Sequence, residues 1–345
     1  MSVQLSFSDS SLVRSVAFFN TQLNTRASIK FSINESALDI YCEIEHDTTE
    51  LAQHSTQKLV MISQTMTFEI LNKILRELKH YTSTFHVRKN SFSGQFAETV
   101  IDVLPSQLSK PIPNELLSKL SRQFHVDISV KSSARLSEPG LIVFDMDSTV
   151  IEMECIDEIA KLAGVGEQVA EVTERAMQGE IAFSDSLIHR VACLKGVELA
   201  KLQTIRDRLP FSPGFAILVT HLKEANWTIA IASGGFTYFA DHIKEMFDLD
   251  VAKSNQLKHE DGVLTGDVIG EIVDAQKKAD LLVSLAQSSR VDRAQTLAVG
   301  DGANDLVMMS AAGFGVAYHA KPKVQFEAQG NIQFTGLQSI LYLLA

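Results

Sequence analysis

The residues best equipped for chemistry in this sequence are carboxylates that follow directly on short apolar runs. Leu141-Ile-Val-Phe144 leads into Asp145-Met-Asp147-Ser-Thr149, and two carboxylates this close repel each other unless a cation or a proton sits between them. Thr296-Leu-Ala-Val299 leads into Gly300-Asp301-Gly-Ala-Asn304-Asp305, and Trp227-Thr-Ile-Ala-Ile-Ala232 into Ser233-Gly234-Gly235. Asp145, Asp147, Asp301 and Asp305 offer oxygen only, a donor set for Mg²⁺ rather than a soft metal, and Mg²⁺ is held by one or two carboxylates together with substrate phosphate. Ser233 adds a hydroxyl, and the glycines beside it add backbone N–H groups that suit phosphate oxygens. Lys278, the second of an adjacent lysine pair, supplies a cation for the remaining charge. Together these groups describe phosphoryl transfer.

Such a set works only if the chain gathers it. The three apolar runs read as strands buried on both faces, and helical stretches at 214–225, 236–247 and 277–287 alternate with them, the pattern of an α/β doubly wound parallel sheet. Neighbouring strands of such a sheet present their carboxyl ends to one crevice, so the three ends are expected to share a pocket. Between the first strand and residue 212 no strand is predicted. Ile156, Ile159, Ala160 and Ala163 share one helical face, and Val169–Met177, Ser184–Leu194 and Glu198–Leu209 follow as further helices, which makes about 154–212 a helical cap over the first strand's end.

Composition narrows the partners. The chain has 345 residues, with 31 Lys plus Arg against 42 Asp plus Glu and a formal charge of −11, which disfavours a nucleic-acid or anionic-membrane surface. Cys42, Cys155 and Cys193 are too few and scattered for a disulfide framework or a zinc cluster. No run reaches the roughly 18 apolar residues of a membrane span, and the first residues lack the basic and apolar regions of a signal peptide. The expectation is a soluble cytoplasmic protein that acts on small molecules.

The N-terminal part is organised differently. In residues 1–55, Ser11–Leu23 is a candidate helix, and 28–44 alternates about an Asn34-Glu35-Ser36 turn as a hairpin would. From about 56 to 135 the order is βαββαβ: Leu59–Ile62, a stripe of Phe68, Leu71, Leu75 and Leu78, Phe85 and Val87, Phe96–Val103, a helix on Leu116, Leu117, Leu120 and Phe124, then Val126, Ile128 and Val130. This is a ferredoxin-like α+β arrangement, which the amino-acid-binding modules called ACT domains share. It reads equally as a sensing, structural or dimerising element, and a homodimer through this region is the partner expectation. Polar 131–139 marks the boundary to a second domain at 138–345.

Other motif readings do not fit. An EF-hand counted from Asp145 needs Gly and Glu where Val150 and Ile156 stand. Gly164-Val-Gly166 lacks a third glycine and lies among helices, and no Walker A lysine motif occurs. His189 reads as a surface residue.

Taken in order, Asp145-x-Asp147-x-Thr149, a strand ending in Ser233, Lys278, and Gly300-Asp-Gly-x-Asn304-Asp305 resemble the haloacid-dehalogenase-like phosphohydrolases over about residues 138–335. With Glu154-Cys-Ile-Asp-Glu-Ile-Ala160 and Ser233-Gly-Gly-Phe236 added, the likeness is greatest to the members that act on O-phospho-L-serine. The resemblance implies a HAD-like core and Mg²⁺-dependent hydrolysis to L-serine and phosphate, the last step of serine biosynthesis. Asp145 would be the nucleophile, forming an aspartyl-phosphate, and Asp147 the general acid and base. Mg²⁺ would be held by Asp145, the Asp147 backbone carbonyl and Asp301, with Asp305 behind them. Ser233, Gly234, Lys278 and Asn304 would bind phosphate. Glu154 and Arg190 would read the substrate's ammonium and carboxylate, and Met177 and Phe183 would close the pocket. Two alternatives stay open on the residues alone: a phosphotransferase or a phosphatase for another small phosphomonoester, and an amino-acid-sensing N-terminal module with a subordinate phosphatase.

Overall fold

The computed structural model describes residues 28–33, 40–45, 57–177 and 181–345. The candidate helix at 11–23 lies outside them. The chain divides into two compact units, one made of residues 1–135 with 321–345 and the other of residues 136–320.

In the first unit, strands β1 (Ser28–Ile33), β2 (Ile40–Glu45) and β3 (Leu59–Ser63) precede helix α1 (Phe68–Glu77). Strands β4 (Thr84–Lys89) and β5 (Thr99–Pro105), helix α2 (Asn114–Phe124) and strand β6 (Asp127–Val130) follow. The sheet order is β2-β1-β4-β5-β3-β6, antiparallel throughout. The expected hairpin is therefore not a separate segment: β1 pairs along β4, with Phe31 opposite Phe85. Thr67 starts α1 by accepting from the Ile70 N–H at 3.2 Å, and Phe68, Leu71, Ile74 and Leu75 bury its apolar stripe.

The second unit carries strand β7 (Leu141–Phe144) and helices α3 (Cys155–Ala163), α4 (Gly166–Met177), α5 (Phe183–Cys193), α6 (Leu199–Arg206) and α7 (Phe215–Glu224). Strand β8 (Thr228–Phe236), helix α8 (Thr237–Phe247), strands β9 (Val251–Glu260) and β10 (Val263–Ile269), and helix α9 (Ala275–Ser288) come next. Strand β11 (Thr296–Gly300), helix α10 (Leu306–Ala311) and strand β12 (Phe314–Tyr318) complete the unit. Its strands run in the order β10-β9-β8-β7-β11-β12. All four residues of β7 are buried, as a central parallel strand requires. Gly140 admits the chain to β7, since a Cβ there would lie 2.7 Å from the Trp227 ring.

Besides the N-terminal hairpin, the structure departs from the sequence reading in two further places. The sheet is not purely parallel: β9 and β10 form an antiparallel hairpin on its edge. Its turn is Asp261-Gly262, both at positive φ (50° and 78°), a dipeptide that favours a tight hairpin. That hairpin also anchors the cap, because Leu264 N–H donates to Val197 O and Leu199 N–H to Gly262 O, each at 2.8 Å.

The second difference is at the C-terminus. The sequence reading carried the catalytic region to 345, whereas residues from Lys321 onward group with the first unit. Buried Asp127 of β6 explains part of this. Its carboxylate accepts the N–H groups of Gln333 (2.6 Å) and Thr335 (3.0 Å) and the Thr335 hydroxyl (2.6 Å). Among the described residues, no helix is long and apolar enough to cross a membrane.

Candidate active site

Strand β7 lies between β8 and β11 and runs parallel to both, with Phe144 opposite Ile231 on one side and Val299 on the other. The three carboxyl ends are therefore immediate neighbours. Asp145, Ser233 and Asp301 each sit just past a paired residue, on the edge where a doubly wound sheet handles ligands.

Asp145 is buried at 6% exposure. Its backbone N–H continues the ladder to Val299 O at 2.8 Å, and its Oδ1 accepts the Met146 N–H at 2.8 Å. Lys278 reaches in from the first turn of α9, which Asp274 caps by accepting the Lys277 N–H at 2.9 Å. The Lys278 Nζ, on a side chain 1% exposed, stands 2.7 Å from Asp145 Oδ1 and 2.8 Å from Asp305 Oδ1. Neighbouring Lys277 instead pairs with Glu271 at 2.8 Å near the surface, so the geometry separates two lysines that spacing alone does not.

Electrostatics in the pocket are unbalanced. Burial and then the charge of Asp305 push Asp145 well above the usual carboxylate range, against the pull of Lys278. Burial and then Glu154 raise Asp147 to about 7, and burial and then Asp305 raise Asp301 to about 7. Burial pulls the Lys278 ammonium down, but Asp145 and Asp305 outweigh it and hold the group above its usual range. One buried ammonium thus faces four carboxylates.

Carboxylate oxygens of Asp145, Asp301 and Asp305 lie within 4.8 Å of one another, a span that one hard cation can bridge. The excess charge and all-oxygen donors fit a divalent ion. Asp305 already spends Oδ1 on Lys278 and Oδ2 on the Gly302 N–H at 3.0 Å. Asp301 accepts one hydroxyl, that of Thr149 at 3.2 Å, and keeps more of its lone pairs for a metal. Asp301 and Asp305 thus differ in how many of their lone pairs are already taken.

The remaining residues fall around this centre. Asp147 Oδ1 accepts the Cys155 N–H at 3.2 Å, and its Oδ2 faces Gly235 so closely that a Cβ there would approach to 2.6 Å. Ser233 is wholly buried, and its hydroxyl accepts the Gly235 N–H at 2.8 Å. Phe183 from the cap lays its ring over Gly234, where a Cβ would be 2.9 Å from the ring edge. Glu154 accepts the Ser148 hydroxyl at 2.8 Å. Arg190, half-buried on α5, feels Asp157, Glu154 and Asp147. The Asn304 Oδ1 closes over Gly302, leaving no room there for a Cβ. The side chain of Met177 lies outside the described residues, and His189 is exposed, as expected.

Three residues at the site were given no role of their own in the sequence reading. Ser148, at φ 56°, orients Glu154, and Thr149 orients Asp301; both lie in the Asp145 motif, where the hydroxyls could have been read as supports. Buried Asn255 holds the Gly234 carbonyl and carried no motif at all.

Comparison with known proteins agrees with this geometry. Residues 139–313 match the haloacid dehalogenase-like hydrolase family. A phosphoserine phosphatase of Vibrio cholerae is 59% identical over 210 residues, 61% of this chain and 64% of that one. A phosphoserine phosphatase of Haemophilus influenzae is 52% identical over 228 residues, 66% of this chain and 73% of that one. The chain thus spans about two thirds of the length of these two relatives. A crystal structure of a probable phosphoserine phosphatase from Vibrio cholerae, unliganded, superposes with a TM-score of 0.70 at 41% identity, over 86% of this chain and 92% of that one. With the catalytic unit matched through most of its length, the chain belongs to the haloacid dehalogenase-like hydrolases.

Proposed function

We infer that the chain hydrolyses O-phospho-L-serine to L-serine and phosphate in a Mg²⁺-dependent reaction. The observation that carries the reading is the joining of two sites: a carboxylate, lysine and hydroxyl centre at the strand ends, and a Glu154 and Arg190 pair facing it from the cap. A substrate with a phosphate at one end and a zwitterion at the other requires both. The names of the relatives support the same substrate.

Asp145 is the nucleophile in this reading. Its carboxylate attacks phosphorus to form an aspartyl-phosphate, so one difficult hydrolysis becomes two easier steps. Asp147, raised to about 7, holds a proton for the leaving serine oxygen and afterwards accepts one from the attacking water. Asp145, Asp301 and the Asp147 backbone carbonyl would hold the ion, with Asp305 supporting. When bound, Mg²⁺ neutralises charge on the transferring phosphoryl group and lets two anions approach. Lys278, Ser233, the Gly234 N–H and Asn304 bind the phosphate oxygens, while Phe183 and Met177 exclude water. Glu154 takes the ammonium and Arg190 the carboxylate.

For the first unit we propose a ferredoxin-like, ACT-like module that binds an amino acid or joins two copies of the chain. The β-α-β-β-α-β order and the sheet order β4-β5-β3-β6 support it. The cytoplasmic location expected from the sequence goes with this metabolic role. A panel of phosphomonoesters at fixed Mg²⁺ tests the substrate: O-phospho-L-serine should exceed O-phospho-L-threonine and nucleotides in kcat/KM by at least about tenfold. Equal rates across the panel would replace the reading with a general phosphatase, and transfer to an added alcohol with a phosphotransferase.

A further inference from the structure

We propose that Asn255, on β9, is a positioning residue that clips the two phosphate-binding elements of the site to each other. The proposal rests on the phosphomonoesterase reading above but not on which ester is the substrate.

Ser233 and Lys278 belong to different elements, β8 and α9, with 44 residues and an edge hairpin between them. Pairing of β8 with β9 breaks between Ala232 and Phe236 and resumes with Phe236 opposite Asn255. The irregular stretch is Ser233-Gly234-Gly235, the stretch that the reading above gives to phosphate binding. A half-buried backbone carbonyl released from the ladder in this way gains from another partner. Asn255 supplies it: Nδ2 donates to Gly234 O at 2.8 Å.

The other end of the same amide faces α9. Asn255 Oδ1 accepts the Val273 N–H at 2.8 Å. Val273 immediately precedes Asp274, the N-cap of α9, and the Lys278 N–H donates to Asp274 O at 3.0 Å. One side chain, 1% exposed, therefore spans from the phosphate-binding loop to the start of the helix that carries the buried lysine. Both polar ends of the amide are satisfied.

The amide is the group this position demands. It needs a donor towards Gly234 O and an acceptor towards the Val273 N–H on one short planar head, which Asn provides. Aspartate of the same shape keeps the acceptor but, when ionised, aims a second oxygen at a carbonyl. Alanine leaves both backbone groups unpaired. Losing these two hydrogen bonds lets the Ser233 loop and the Lys278 helix move independently.

The test is binding of inorganic phosphate to the Mg²⁺-loaded full chain, by calorimetry and as a competitive inhibitor of whichever phosphomonoester the native protein turns over. Asn255→Ala should weaken phosphate about tenfold or more, equivalent to about 1.4 kcal/mol. It should also make the loss from Ser233→Ala smaller in its background than in the native one, because the hydroxyl is already displaced. Asn255→Asp, close in shape, keeps a variant available if alanine does not fold. Measured against the native protein at the same pH, it should weaken phosphate at pH 8 and regain affinity as the pH is lowered and the introduced carboxyl can donate. Phosphate affinity within twofold of native in the folded variants, or full additivity of the alanine variant with Ser233→Ala, would overturn the proposal. Absence of O-phospho-L-serine turnover by the native chain would instead overturn the substrate reading and leave this one standing.

Discussion

Lys278→Met removes the single ammonium that stands between Asp145 and Asp305, at 2.7 and 2.8 Å. Methionine fills nearly the same volume, so the perturbation is one of charge rather than packing. Removing one partner of a buried ion pair costs about 3–5 kcal/mol, because the other is left uncompensated. Here two carboxylates are left, within 4.8 Å of each other, and Asp145, already held above the usual carboxylate range by burial and Asp305, loses the pull of Lys278 and takes up a proton. Its folded-state pKa then lies further above the unfolded value, so the folded variant holds more protons and its stability falls as pH rises between the two values. Each unit of pH within that window changes stability by about 1.4 kcal/mol per extra proton.

Urea unfolding in EDTA at about pH 5 and about pH 8 reads this directly. The variant should lie about 3–5 kcal/mol below the native protein at the higher pH, and most of that gap should close at the lower one. Asp147 and Asp301, whose carboxyls Lys278 also holds down, shift in the same direction in the variant and add to its pH dependence. A loss under about 1 kcal/mol at pH 8, or the same loss at both values, would refute the claim that Lys278 compensates this cluster. Catalysis should fail in the variant at either pH.

Other consequences follow from the same geometry. Asp301, raised to about 7, should release its proton when Mg²⁺ binds to its carboxylate. Apparent affinity should rise up to about tenfold per pH unit below neutrality and level off above it; calorimetry in two buffers of different ionisation heat measures this, and a flat profile contradicts it. Thr149→Val removes the hydroxyl that orients Asp301 and should weaken Mg²⁺ about 10–100-fold with little change in melting temperature. Glu154→Gln should raise KM for O-phospho-L-serine about tenfold or more and affect KM for p-nitrophenyl phosphate much less, since that ester has no ammonium; equal effects on both would remove Glu154 from substrate recognition.

Much of this site was legible in the sequence because its parts sit at strand ends. Asp145, Ser233 and Asp301 each follow an unbroken apolar run, and a parallel sheet leaves little choice about where such ends point. What was hidden depended on pairing. The β9–β10 hairpin has long polar stretches, as an edge hairpin does, and its Asp261-Gly262 turn was the available signal. The return of residues 321–345 to the first unit rests on Asp127, whose role as a collector of backbone N–H groups becomes visible only when Gln333 and Thr335 stand beside it. Asn255 was silent for the same reason: its two partners, Gly234 and Val273, lie 21 and 18 residues away.

The central claim is that the Asp145 carboxylate itself attacks phosphorus. Rapid acid quenching during turnover of O-phospho-L-serine carrying labelled phosphate, followed by peptide mapping, tests it most directly. The account predicts label on the peptide that contains Asp145, and neither label nor turnover in a folded Asp145→Asn variant. Continued turnover by that variant, or label on another residue, would contradict it.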